Sequence, residues 1–434
     1  MDIKALKEAA CAEIDAHREA LIAFGEDILA HPELGYKEHR TSEKVRQALC
    51  TLGITDITAC ALTGLKAWLK KAPGPAVAVI GELDAVISPQ HPMADPQTGA
   101  AHACGHNAQL AALLGTAYGL RSVSTALDGG VCLIAAPAEE YIEIGWRSQL
   151  VSKGMLSYLG GKQQMIFEGV FDDIDMAMMV HSETDAPCSR IVVDGPASGF
   201  IGKSVRFIGK EAHAGGAPWD GVNALNAAAL AMMGIHANRE SFRDEDHVRI
   251  HPILTKGGDL VNTVPADVRM ESYVRAATTS AMQSANKKVD RAIEGAAYMV
   301  GATAEIRHLP GYLPLRQNHA LSALFEQNAK QIAPTLSVEH GLTFCGSTDI
   351  GDLSACMPVI QPTITGFSGA AHSKDFRIID PEQAYILPAK LMAMTVIDLL
   401  TEHAAKARTI TKSSKKSDNA AYFAIWERML SDSN

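Results

Sequence analysis

A chain of 434 residues with 47% hydrophobic and 20% charged residues has the mix of a globular protein of roughly two to three domains, which excludes disordered, fibrous and collagen-like classes. Its 49 acidic residues against 39 basic ones give a formal net charge of −10, the wrong sign for nucleic acid or an anionic membrane as partner, although a local basic group can still hold a small anion. Eight cysteines are dispersed, with no CxxC and no dense framework, the pattern of reduced thiols in a cytoplasmic protein.

In chain order, the opening MDIKALKEAACAEIDAHREAL reads as a charged amphipathic helix and lacks the apolar core of a signal peptide. No run reaches the roughly 18 consecutive apolar residues of a membrane span. Three short apolar runs follow among helical patterns: 76–83 (AVAVIGEL), 130–137 (GVCLIAAP) and 176–180 (MAMMV). Nearly continuous apolar stretches suit strands of a mostly parallel sheet covered on both faces, so a three-layer α/β domain is predicted. Near residue 197 the texture changes. A strand over 203–208, a helix over 221–238 with Asp220 as N-cap, strands over 248–255 and 268–275, a helix over 281–299 and a strand over 302–307 follow in order. The order β-α-β-β-α-β is the split βαβ unit, so 197–308 is predicted to be a ferredoxin-like α+β domain inserted between 1–196 and 309–405 of the larger one. Residues 406–434 hold a polar, basic linker, TKSSKKSDN (411–419), and a short helix with Tyr422, Ile425, Trp426 and Met429 on one face. Such a helix docks on its own domain, the commoner fate, or binds a partner.

The three apolar runs lead into Asp84, into Glu139–Glu140 and into His181. Ligand sites in open α/β sheets lie beyond the carboxyl ends of the strands, so these side chains converge on one rim. Two further clusters join them. In HACGHN (102–107), Cys104 and His106 flank a glycine that permits a tight turn, and thiolate with imidazole suits a zinc-like ion. Asn107 suits the N-cap of a helix over 108–118. In AHSKDF (371–376), His372 is a lone histidine in a small-residue loop. Neighbours on an extended chain point to opposite sides, so of Glu139 and Glu140 one can hold a metal while the other serves water as acid and base. Each piece has a plainer reading: His372 as a satisfied loop residue, Cys104 as core packing, Asp84 as a turn residue, the glutamates as solvated surface. Their joint placement favours a site. Cys104 as nucleophile with His106 as base is a second chemistry, but it leaves Glu140, His181 and His372 unexplained.

These residues also carry a resemblance. HPELGYKEHRTSEKV (31–45), GELDAV (81–86), HACGHN (102–107), PAEE (137–140), AMMVHSE (177–183), EAHAGGAPWDGVNAL (211–225), LVNTVPADV (260–268), SYVRA (272–276), GSTDIGD (346–352) and AHSKDF (371–376) span nearly the whole chain. Together they resemble the dinuclear-metal aminoacylase and carboxypeptidase amidohydrolase family, which includes hippurate hydrolase, auxin-conjugate hydrolases and p-aminobenzoyl-glutamate hydrolase. GELDA and GSTDIGD are similar to the branch with the B-subunit of that last enzyme and β-alanyl-lysine dipeptidase. The resemblance implies a metal-dependent hydrolase of an N-acyl amino acid, an aminobenzoyl-glutamate-like compound or a dipeptide. It implies two divalent ions per subunit, zinc or manganese first, with cobalt and nickel open. Cys104 would bridge them, His106 and His181 would hold one, and Glu140 and His372 the other. Glu139 would be the general base, with Asp84 beside it in the catalytic set. His213 would reach the neighbouring subunit's site, Asn262 and Arg275 would hold a substrate carboxylate, and the inserted domain would be the dimerisation domain of a homodimer. In plainer terms His213 is a turn residue, and Asn262 and Arg275 are solvated positions. A non-catalytic metal-binding or regulatory protein on the same fold is the remaining alternative. The chain departs from the family pattern at Asn107, where many relatives carry an acid, and in a longer segment between Asp84 and Cys104. His91 and His102 in that segment are assigned to neither metal.

Overall fold

Two strands of almost unbroken apolar sequence, Ala76–Glu82 and Gly130–Ala136, lie side by side in parallel and are buried at every residue. Burial of both faces is what selects such sequences over alternating ones. In the computed structural model, which describes residues 2–184, 186, 188–414, 417 and 419–431, they form the middle of a six-stranded sheet. Met176–Met178 and then Val359–Ile360 extend it in parallel beyond Ala76–Glu82. Gly64–Lys70 and Ile57–Cys60 close the other edge antiparallel. The fold is α/β with a central, mostly parallel sheet. Each of the three predicted strands ends a residue or two earlier than expected, because the chain turns where its functional side chains begin. After the third, His181–Ser182 joins a separate small sheet by pairing with Thr363–Ile364.

Helix His106–Val123 is buried almost throughout and packs with Ile3–Ala16, Arg18–Leu29 and Leu387–Leu400 into one apolar core. The stretch Glu382–Leu400 is long and apolar enough to cross a membrane, but 83% of its apolar window is buried inside the fold, as befits a core helix.

The chain divides into two compact units, one of residues 1–195, 316–342 and 352–419, the other of 196–315, 343–351 and 420–434. In the second unit four antiparallel strands lie in the order Arg249–Lys256, Asp267–Ala276, Gly199–Ile208, Thr303–Tyr312. Helices Ala224–Ala237 and Thr279–Met299 cover one face and share an apolar core with Val268, Met270 and Val274. This is the ferredoxin-like arrangement. Several boundaries differ from the sequence reading, the first strand starting at Gly199 rather than at 203. Asn223, not Asp220, caps the first helix, its Oδ1 accepting from Leu225 N and Asn226 N at 2.9 and 3.1 Å, while Asp220 closes a short 3-10 turn. The last strand runs past Pro310, which sits opposite Ile201 next to a bulge on an edge strand, where a missing N–H costs little.

Residues 411–413, read as linker, belong to helix Ala405–Ser413, and Lys415, Lys416 and Asp418 lie outside the described residues. Helix Asn419–Ser431 buries Tyr422, Trp426 and Met429, with Trp426 Nε1 donating to Tyr422 Oη at 3.1 Å.

Candidate metal centre and active site

The strand Gly130–Ala136 is followed by a sharp turn. Ala138 adopts φ +50°, a costly backbone for a residue with a Cβ, and persists because its surroundings fix it. Its N–H donates to Glu38 Oε1 at 2.8 Å, and its carbonyl accepts from Gly161 N at 3.1 Å. A Cβ at Gly161 would lie 1.6 Å from the Pro137 carbonyl oxygen, so only glycine fits there. The turn delivers Glu139 and Glu140. Asp84, fully buried at the end of the neighbouring strand, accepts from Glu140 N at 2.9 Å through Oδ2. Its backbone carbonyl lies 2.8 Å from His106 Nδ1, which therefore carries the proton and leaves the Nε2 lone pair facing inward.

Gly105 (φ +87°) stands at the N-cap of the helix that begins at His106, so the predicted cap at Asn107 is not formed. Asn107 is buried inside the first turn, and its Nδ2 donates to Gly25 O and Tyr385 Oη at 3.2 Å each. The tight turn brings Cys104 Sγ within 3.4 Å of His181 Nε2. The loop of His372 sets that ring's Nε2 3.0 Å from Glu140 Oε1.

Three donor groups stand among the described residues: Glu82, His106 and Glu139 form one, and two others share Cys104. Cys104, His106 and His181 offer ligand atoms all within 4.8 Å of one another, and so do Cys104, Glu140 and His372. Cys104 belongs to both. The donors fit divalent ions on chemical grounds: a thiolate, three imidazoles and a carboxylate, with His106 Nε2 buried and without a hydrogen bond. Burial alone would raise the Cys104 thiol, but the nearby His181 and His106 rings hold it down to about 5. Burial likewise opposes ionisation of Glu140, yet the His372 ring keeps its carboxyl at about 2. Glu139 is buried beside this pair of groups, its Oε2 3.8 Å from His106 Nε2.

Three residues of this neighbourhood escaped the sequence reading. Glu82 is buried in the central strand, with its Oε2 3.1 Å from His106 Nε2 and accepting from Gln109 Nε2 at 2.8 Å. Lys162, also fully buried, donates to Glu82 Oε1 at 2.6 Å. Burial works against the Glu82 charge, but Lys162 outweighs it and holds the carboxyl at about 2. Glu38, beneath the Ala138 turn, accepts from Thr63 Oγ1 at 2.6 Å and is pushed up to about 8, first by burial and then by Asp84. The available signal was a carboxylate inside an otherwise apolar strand. His102 is buried, and burial together with the His106 and His91 rings pushes it down to about 3, which keeps it neutral.

The remaining candidates belong to the second unit. His213 and Asn262 sit in adjoining exposed loops, joined by Ala214 N donating to Asn262 O at 2.9 Å. His213 Nδ1 accepts from Gly215 N and Gly216 N at 3.2 and 2.9 Å, which leaves Nε2 as the protonated, outward donor. Arg275 is half-buried, lies over the rings of Phe200 and Tyr273 at 5.6 and 5.2 Å, and donates from Nε to Ser347 Oγ at 3.3 Å.

Comparison with known proteins gives a consistent picture. The profile of Peptidase family M20/M25/M40 matches residues 78–397, a span that contains all three donor groups. A Xaa-Arg dipeptidase of Mus musculus is 29% identical over 423 residues, covering 92% of this chain and 90% of that protein. A p-aminobenzoyl-glutamate hydrolase polypeptide of Escherichia coli (strain K12) is 27% identical over 468 residues, covering 90% of this chain and 91% of that protein. Among solved structures, a dinuclear metal binding peptidase from the M20 family of Bacillus subtilis shares the fold with a TM-score of 0.67 at 24% identity, covering 89% of this chain and 99% of that one. The chain therefore belongs to Peptidase family M20/M25/M40 and is a metal-dependent amidohydrolase or peptidase of that family.

Proposed function

We propose that this enzyme hydrolyses the amide bond of an N-acyl amino acid, an aminobenzoyl-glutamate-like compound or a dipeptide. The observation that carries the reading is the pair of donor groups sharing Cys104, with the Glu139 carboxylate beside them. The dipeptidase and hydrolase activities in the names of the mouse and Escherichia coli relatives support the same reaction class. His106 and His181 would hold one divalent ion, Glu140 and His372 the other, and Cys104 both. Thiolate and imidazole donors favour zinc, with manganese, cobalt and nickel as the further candidates. Bound there, the ions acidify water and polarise the scissile carbonyl.

The chain's own residues supply the rest. Glu139 accepts the proton of the attacking water and passes it to the leaving amine. Asp84 touches no reacting atom in this reading; it positions His106 and the backbone of Glu140. The protonated Nε2 of His213 is a fixed donor for the negative charge that develops on the carbonyl oxygen, acting at the neighbouring subunit's site in a homodimer. Asn262 and Arg275 hold the substrate's free carboxylate. Eight cysteines that form no disulfide accord with a cytoplasmic setting.

The test is Glu139→Gln. It should bind zinc with wild-type stoichiometry while kcat falls by roughly 10²–10⁴-fold, the usual contribution of a general base. Turnover close to wild type would remove Glu139 from the role. Chelation should abolish activity and added divalent ion should restore it. Inactivation by iodoacetamide that persists in zinc-saturated protein would instead support the thiol chemistry of Cys104.

A further inference from the structure

The segment between Asp84 and Cys104 folds into an ordered excursion. Val86–Ile87 pairs antiparallel with Ala100–Ala101, and Asp95 Oδ1 gathers Gln97 N, Thr98 N and Thr98 Oγ1 at 3.0, 2.7 and 2.8 Å. His91 N donates to Ser88 O and Ala94 N to His91 O, at 2.9 and 3.0 Å, so the backbone around His91 is fixed. The residue is 7% exposed. Met93 N donates to His91 Nδ1 at 3.1 Å, which leaves Nε2 to carry the proton. That Nε2–H points at the carbonyl oxygen of Phe376, 2.9 Å away.

Phe376 ends the loop that presents His372. His372 itself has φ +63°, a strained conformation that relaxes unless its surroundings hold it. Three contacts do so. His372 N donates to Ala103 O at 2.8 Å, the Phe376 ring is buried and stacked 5.7 Å from Phe367, and the Phe376 carbonyl is captured by His91. The segment leading to Cys104 therefore grips the His372 loop at both its centre and its end.

We infer that His91 is a positioning residue for the ion shared by Cys104, Glu140 and His372: its Nε2–H fixes the Phe376 carbonyl and so holds the His372 ring where it can bind metal. The inference rests on the two-ion reading above. A hydrogen bond of this outer kind typically changes metal affinity by ~10–100-fold.

The experiment is equilibrium dialysis of the full chain against buffered Zn²⁺, with zinc per chain read by elemental analysis and folding checked by thermal melting. Wild type should bind two zinc ions of distinct affinity, and His372→Ala should lose one. His91→Phe, which keeps the ring but not the donor, should weaken the same ion ~10–100-fold and leave the other unchanged. His91→Gln, whose Nε2 can reach the same carbonyl, should restore wild-type binding. His91→Asn, whose amide is too short to reach, is the second losing variant should His91→Phe not fold. Two-ion binding in the losing variants identical to wild type overturns the inference. So does a His91→Gln protein as impaired as His91→Phe, since the effect would then be one of packing. If wild type binds fewer than two ions the two-ion reading itself fails, and if His372→Ala binds as many as wild type the assignment of His372 as a ligand fails; this inference falls with either.

Discussion

Lys162 and Glu82 face each other with no exposed surface, and their contact lies one hydrogen-bond length from the His106 ring. Two charges taken out of water are tolerated only when every partner is in place. Lys162→Met leaves the Glu82 carboxylate buried with Oε1 stripped of its ion-pair partner, while Gln109 and the His106 ring stay beside Oε2. We expect the metal-free protein to lose ~3–5 kcal/mol in urea unfolding, and the double variant Lys162→Met/Glu82→Gln to recover most of it. A single variant as stable as wild type would show that the pair is not a coupled unit. Neither residue was legible in the sequence. Glu82 was absorbed into an apolar run and Lys162 lay in none of the motifs singled out, because lysine is almost always exposed and burial is a tertiary property. The residues at the strand ends were legible because their place in the order of elements already aims them at one rim. His372 was not, since one histidine in a loop carries no periodicity. A second buried lysine allows a sign-definite test. Burial pushes Lys203 down to about 8 despite its Asp290 partner. The folded state then gives up this proton near pH 8 and the unfolded chain near its ordinary value of 10.5. Between those values the unfolded chain binds more protons, so stability rises with pH there and the cost of the buried charge is present below pH 8. Relative to Lys203→Met, whose Asp290 keeps His308 and Asn286 as partners, wild type should gain ~1.4 kcal/mol per pH unit at most across that window. A constant difference would contradict it.

The element that matters most to the site is the turn from Pro137 to Glu140. Strained backbone at Ala138 is held from both sides, by the Glu38 carboxyl and by the bare Cα of Gly161. Gly161→Ala places a methyl carbon 1.6 Å from the Pro137 carbonyl, so the turn must move and both glutamates with it. Overpacking of this kind costs ~1–3 kcal/mol and can exceed that. The expected result is a lowered melting temperature together with a fall in kcat/KM larger than the stability loss alone explains. Unchanged kinetics in a folded variant would show that the turn can shift without displacing Glu139. Element identity was legible where pattern and burial agree, as in Ala76–Glu82 and Gly130–Ala136. Boundaries were less so. Asp220 and Asn223 are equally good caps on paper, and only the tertiary path of the chain selects Asn223. Pro310 reads as a strand terminator, but an edge strand does not need its N–H.

At the scale of the molecule, the two units have separate apolar cores, and all five candidate ligands belong to one of them. The ferredoxin-like insertion was readable from the order of its elements, whereas the return of 343–351 to the second unit carried no local signal. The separation has a thermodynamic consequence. An ion that binds only the folded form of a unit stabilises it by an amount set by its free concentration over Kd, ~2.7 kcal/mol at a hundredfold excess. Zinc should therefore raise the calorimetric transition of the unit that carries Cys104, His106, Glu140, His181 and His372, and a chelator should lower that transition alone. The transition of the ferredoxin-like unit should stay where it is in both conditions. His372→Ala should reduce the zinc-dependent shift without altering the transition of the second unit, because it deletes a ligand from only one side of the shared Cys104. A single transition that moves as a whole with zinc would mean that the two cores unfold as one cooperative body, and the assignment of metal stabilisation to one unit would then be wrong.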